Sequence, residues 1–390
     1  MEKERNLTFS ILSCIAILLI ILGHLDYNVL EFGGLFPYYS YHVMIFVFIT
    51  GYFYKIEDEK HILAFIKRKA IRLLLPYGIC NLFIGLLVMI LHRFGFIYGG
   101  NVTLYNLFVA PFADGHQFML NAPGWFIPAL FLLEVCNVIG RRILSMIKLD
   151  NEYVIMILYL TLGITTVILS RRGSVYDWYR IPGRLMFMAP VLQLGRLYKA
   201  KLEGKDTLKN LPYFSILLIL NLILCVSRAG LAFSAVWVNG FKNNALIPYI
   251  TTVTGIALWL RISKIIASIP GKHAVADYVG RHTMEICLYH LSGWLVVGLV
   301  FLFLNRTFGI CADFDLERFT SDVYYAYCPG GIGVYKWIYI AASFGLPLGM
   351  TYLGDRIGKT YLGDRIGKTY LGDRIGKLIC GLRKNGKTTK

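Results

Sequence analysis

The chain is short of charge, short of acid and without anything resembling a linker. Only 16% of its 390 residues are charged and 56% are hydrophobic, which excludes an ordinary soluble domain, where about a quarter of residues are charged. Acidic residues number 23 against 40 basic ones, for a net charge of +17. The eight cysteines form no CxxC pair, so neither a zinc site nor a redox motif is indicated and no metal is expected. Cys311 and Cys328 share one expected outer loop, a placement that admits a disulfide in an oxidising compartment. No Pro-, Gly- or Ser-rich stretch separates two globular halves, so the chain reads as one domain. The first apolar run lacks a small-residue cleavage site; it is expected to remain as a span.

What is present is apolar length. Runs long enough to cross about 30 Å of hydrocarbon recur at roughly 7–25, 34–54, 73–91, 124–140, 153–169, 185–198, 211–227, 245–260, 284–304 and 334–352. The expectation is an all-α, polytopic bundle of about ten transmembrane helices over 1–352, followed by a basic tail over 353–390. Cytoplasmic loops carry the Lys and Arg excess. With both termini cytoplasmic, 30 of the 40 basic residues fall inside and 10 outside. Short basic loops against anionic headgroups account for the net charge, and no nucleic-acid partner is expected. The tail opens on a nine-residue repeat, Thr-Tyr-Leu-Gly-Asp-Arg-Ile-Gly-Lys, present three times from Thr351 to Lys377. Its charge pattern suits a segment resting on headgroups rather than a catalytic one.

Ionisable residues inside such runs are costly and point to function. His24 ends the first run, in which no other side chain from Leu7 to Gly23 is charged, and His42 opens the second, so the two can face each other across a hairpin. Glu134 is expected to pair with the basic loops, and Glu285 and His290 read as structural. Lys67-Arg68-Lys69-Ala70-Ile71-Arg72 leads four cations into a helix; Arg68 and Arg72, four apart, can fork onto phosphate from one side or simply satisfy the positive-inside bias. On the expected outer side, Arg171, Arg172, Tyr176, Trp178, Tyr179, Arg180 and Arg184 read either as an interfacial belt or as a site for an anionic or lipid-diphosphate-linked acceptor. The long outer segments 92–123 and 305–333 are expected to act as lids or to be partly re-entrant.

Several segments, in order, resemble the membrane-bound acyltransferase 3 family over nearly the whole chain to about residue 350. They are Ile15 through Gly23-His24; His42 through Phe48-Ile49-Thr50-Gly51-Tyr52; the basic stretch ending in Arg72 and Pro76; Trp125-Phe126-Ile127-Pro128-Ala129-Leu130; and Gly280-Arg281-His282-Thr283-Met284 with Tyr289 and His290. The resemblance implies transfer of an acetyl or other short acyl group from cytoplasmic acetyl-CoA, or a related acyl-CoA, to a hydroxyl of an extracytoplasmic or lipid-linked carbohydrate. It also implies a bacterial inner or plasma membrane. His24 would be the catalytic base, a role that suits a neutral imidazole. His42 would orient His24, contact the acceptor or bridge helices. Lys67, Arg68, Lys69 and Arg72 would meet the CoA phosphates; Trp125, Arg171 and Arg180 would meet the acceptor. The chain departs from the family at Ser10 and Ser13, where an Asp and an Arg usually stand. Two other readings remain open from the sequence: a transporter or flippase gated by His24 and His42, and a membrane module that presents substrate to a separate enzyme.

Overall fold

The computed structural model describes residues 6–362 apart from 228, 229, 243 and 272. Among the described residues there is no β-strand; two isolated bridges join Gly99 to Phe118 and Ser234 to Asn239. The α-helices in chain order are α1 (Leu7–His24), α2 (His42–Tyr52), α3 (Ile62–Lys69), α4 (Leu75–His92), α5 (Leu104–Phe108), α6 (Ala110–Ala113), α7 (Phe126–Met146) and α8 (Glu152–Arg171). They continue as α9 (Arg180–Leu197), α10 (Asn210–Val226), α11 (Ile247–Ser268), α12 (Ala274–Arg281), α13 (Thr283–Phe308), α14 (Leu316–Ser321) and α15 (Lys336–Leu362).

Six helical stretches among the described residues are long and apolar enough to cross a membrane: Leu7–His24, Ile62–His92, Met119–Met146, Glu152–Arg171, Ile247–Ser268 and Thr283–Phe308. The other four apolar runs fall in α2, α9, α10 and α15, each too short or too polar by that measure. α2 has only 11 residues because Pro37 and the 3-10 turn Tyr38–Ser40 take up the chain before His42. α15 carries the first nine-residue repeat to Leu362 as helix; the rest of the tail and both termini lie outside the described residues. Cys311 and Cys328 are free thiols rather than a disulfide.

α1 is the hub, packed against α2, α11, α12 and α13. An uncharged helix apolar on every side is stable only when surrounded, and Leu12, Ala16, Ile17, Leu19 and Ile21 are accordingly sealed from solvent. Glycines set the closest approaches. A Cβ on Gly51 of α2 would sit 1.8 Å from the Leu192 carbonyl oxygen, and one on Gly195 of α9 would sit 2.0 Å from that of Phe48, so the two backbones touch without intervening side chains. Gly280 brings α12 onto α1 in the same way, with the Ser10 carbonyl oxygen 2.3 Å from the place of its missing Cβ.

Two irregularities shape the helices next to the interior. A π-turn over Ala70–Leu74 interrupts the path from α3 to α4, so the basic stretch does not enter as one regular α-helix; Pro76 follows directly in the first turn of α4 and offers no N–H to the carbonyls of the π-turn. A 3-10 segment, Met119–Trp125, leads into α7. At the same end of the bundle as α3, buried charges tie several elements together. Arg141 of α7 donates to Glu59 Oε1 at 2.9 Å, to both Glu152 oxygens at 3.1 Å and to Gln193 at 3.0 Å, while Arg196 of α9 donates to Glu152 at 2.9 Å.

Candidate functional site

The bundle holds a partly open cavity of about 1330 Å³, lined from the basic stretch to the end of α1. Lys55, Arg68, Lys69, Arg72, Glu134 and Arg281 line one end; His24, Tyr39, His42, Trp125 and Ser234–Val236 line the other.

His24 is the last residue of α1, and its Nδ1 lies 3.1 Å from Nε2 of His290 on α13. The two rings are within 3° of parallel, with centroids 5.3 Å apart. The separation of the centroids exceeds that of the nitrogens by about two ring radii, so the imidazoles lie end to end in one plane, as a linear hydrogen bond requires. Nδ1 of His290 is 3.0 Å from the carbonyl oxygens of Ile286 and Cys287. Carbonyls only accept, so this nitrogen carries the hydrogen and Nε2 is the acceptor. His24 therefore donates through Nδ1, and with both rings neutral its Nε2 keeps a free lone pair. The Tyr324 ring, from the segment between α13 and α15, lies 5.4 Å from the His24 ring.

His42 lines the cavity next to this pair but faces neither histidine in a hydrogen bond. Its Nδ1 donates to the Tyr38 carbonyl, and its ring meets the Tyr39 ring edge-on at 5.2 Å. Tyr39 in turn donates to the Gly23 carbonyl at 3.0 Å. The hairpin thus brings His42 near His24 through Tyr39, while the direct partner of His24 comes from the far end of the chain.

At the basic end, Arg68 pairs with Asp58 at 2.8 Å and Lys69 pairs with Glu134. Glu134 leaves Oε2 buried without a hydrogen-bond partner. Arg72 also lines the cavity, whereas Lys67 is exposed and does not. Ser13 faces the cavity but gives its hydroxyl to the Phe9 carbonyl at 2.8 Å. The cation in that part of the wall, Arg281, comes from α12.

Near the His24 end Trp125 is in the wall, whereas Arg180 is outside the cavity lining and lies 4.6 Å over the Trp237 ring. Arg171 lies exposed at the end of α8, outside the cavity lining. Two residues that the sequence did not single out join this region, His116, stacked on Trp237 at 4.7 Å, and Trp237 itself; Arg184, from the basic and aromatic stretch, is buried over Trp125 at 5.0 Å. Segments 92–123 and 305–333 bind each other, with Ile97 N–H donating to the Thr320 carbonyl at 2.9 Å and the Tyr98 hydroxyl donating to the Phe319 carbonyl.

A family model described as an acyltransferase domain, that of the acyltransferase 3 family, matches residues 9–346. No curated protein and no solved structure matches the chain.

Proposed function

The chain belongs to the acyltransferase 3 family and is a multi-pass membrane acyltransferase; from that premise we propose that it moves an acetyl or other short acyl group from cytoplasmic acyl-CoA to a hydroxyl of an extracytoplasmic or lipid-linked carbohydrate. In this reading it is an inner or plasma membrane protein crossed by ten helical segments, α2 counted together with the 3-10 turn that precedes it, with both termini in the cytoplasm. The observation that carries it is the His24–His290 pair, which leaves a free imidazole nitrogen in a cavity continuous with a cluster of cations.

The donor enters at the cationic end. Arg68, Lys69 and Arg72 meet the CoA phosphates, and the narrow pantetheine arm follows the cavity toward His24. Arginine forks suit phosphate oxygens, and burial of the arm in an apolar wall excludes water that would hydrolyse the thioester. At the other end Trp125 and Arg180 meet the carbohydrate. Nε2 of His24 takes the proton of the acceptor hydroxyl as its oxygen attacks the thioester carbonyl. The tetrahedral intermediate then collapses, the carbon–sulfur bond breaks, and the imidazolium returns the proton to the departing thiolate. The products are an ester and CoA. His290 holds the imidazole in the tautomer and plane the reaction needs, and His42 fixes Tyr38 and Tyr39 beside it.

Purified protein in lipid nanodiscs, supplied with acetyl-CoA labelled in the acetyl group and a polysaccharide acceptor, tests the reading. Label is expected on the acceptor, and His24→Ala at unchanged fold is expected to lose it. Normal transfer by His24→Ala would refute the role of His24; movement of sugar across the bilayer without any use of acetyl-CoA would favour a flippase.

A further inference from the structure

Next to the cavity lining at the His24 end lies a cationic cluster with a single acidic side chain, Asp114, acting on it. Arg184 is buried and spends its donors on backbone: Nε to the Val236 carbonyl at 2.7 Å, and its terminal nitrogens to those of Ala113 at 3.3 Å and Asp114 at 3.0 Å. Carbonyl dipoles satisfy the donors but leave the charge in place. One helical turn earlier, Arg180 lies over Trp237 with its buried Nε lacking any hydrogen-bond partner. His116 stacks on the same indole at an interplanar angle of 29°, within the electrostatic reach of both arginines. Among the described residues no carboxylate lies within ion-pair distance of Arg180 or Arg184. Asp114, the one acidic side chain acting on Arg184 and His116, accepts the His116 backbone N–H at 2.6 Å. The region borders the cavity directly, since Trp125 and Val236 each line it and each touch Arg184.

Arg180, with its Nε unspent, and His116 gathered around the Trp237 indole, beside the buried Arg184 charge over Trp125 and with little counter-charge, make a low-dielectric surface that favours an anion. We propose that this surface is a subsite for a carboxylate or phosphate carried by the carbohydrate acceptor, contacted by Arg180 and His116. Trp237 holds both contact residues, and Arg184 is a positioning residue that pins the 113–116 and 234–237 segments together. The inference rests on the acyltransferase reading, because it names the chemical class of that reaction's acceptor. It also separates Arg180 from Arg171 as the arginine that reads the acceptor.

Binding, measured without turnover, tests it. The full-length protein in nanodiscs is titrated by calorimetry with an oligoglucuronate, a phosphorylated oligoglucose and a neutral oligoglucose of equal length. At least one charged ligand is expected to bind about ten-fold or more tighter than the neutral one, the gain of a charge-assisted hydrogen bond. Which charged ligand it is decides between carboxylate and phosphate. Arg180→Gln is expected to remove most of that preference and Arg180→Lys to retain part of it, each read as the ratio of charged- to neutral-ligand affinity on the same preparation. Equal binding of charged and neutral ligands, no binding of either charged ligand, or an intact preference in Arg180→Gln would overturn the subsite. Acetyl-CoA turnover is followed separately on the same preparations. A charge preference without turnover sinks the enzyme reading alone, and turnover without a charge preference sinks the subsite alone.

Discussion

Nδ1 of His24 and Nε2 of His290 lie 3.1 Å apart although the residues are 266 positions apart in the chain, and the carbonyls behind His290 decide which way that hydrogen bond points. Removing either ring should therefore affect the same step to different degrees. His24→Ala is expected to lower kcat by about 10²- to 10⁴-fold, the usual worth of a positioned base. His290→Ala is expected to cost about 10²-fold through misorientation alone. His290→Gln, whose amide oxygen can still accept from His24, should recover part of that loss with little change in either KM. Equal activity of His290→Ala and the parent would show that the pairing is architectural only.

The donor contacts should separate by place. Arg72→Ala is expected to raise KM for acyl-CoA by about ten-fold with kcat little changed, the signature of lost uniform binding, and to leave KM for an acyl-pantetheine lacking the nucleotide unaffected. Lys67→Ala, outside the cavity lining, should do nothing measurable to either constant. Steady-state kinetics with both donors decides the matter.

Arg141 is nearly inaccessible and holds Glu59, Glu152 and Gln193 at once. Deleting one member of a buried charge cluster strands the others at a cost of about 3–5 kcal/mol. Arg141→Ala should lower the thermal transition in detergent by many degrees. Exposed Arg142→Ala should leave it within a degree or so.

His116 supplies a pH prediction. Burial pulls its pKa below the ordinary histidine value; Arg184 and Arg180 from α9 act in the same direction, and Asp114 from its own segment opposes them. Trp237 packs on the ring, and His24 also feels it. The ring is therefore neutral at pH 7 when the subsite is empty, and a bound anion favours the protonated form. Affinity for the charged oligosaccharide should rise as pH falls through the pKa of the occupied state, then level off below that of the empty one. In His116→Asn this rise should vanish, as read by calorimetry between pH 5 and 8, roughly the range of histidine titration.

The apolar runs were legible because a bilayer demands length and the absence of charge, and each run coincides with a helix. Their extents were less so: the run expected from 34 to 54 keeps only His42–Tyr52 as α-helix, since Pro37 and a 3-10 turn intervene. Glu134 read correctly as the partner of a basic loop, and that partner is Lys69. His24 stood out by its cost, yet its partner did not, because helix α13 offers a histidine at a position that periodicity alone assigns to packing. His116 and Trp237 sit in irregular segments, where no period links them to Arg180 and only the tertiary fold brings the three together. Arg171, the last residue of α8, shared a composition with Arg180 but stands exposed, while Arg180 lies over the Trp237 ring.

The π-turn at Ala70–Leu74 acts as a phase adjuster between two rigid rods. One residue more than an α-turn rotates everything beyond it by about 100° around the helix axis. Excising a single uncharged residue there would leave α3 and α4 intact as helices and swing Lys69 to another compass bearing, away from Glu134 on α7. Such a deletion would test direction alone, with the charges all still present and every apolar contact of α4 kept.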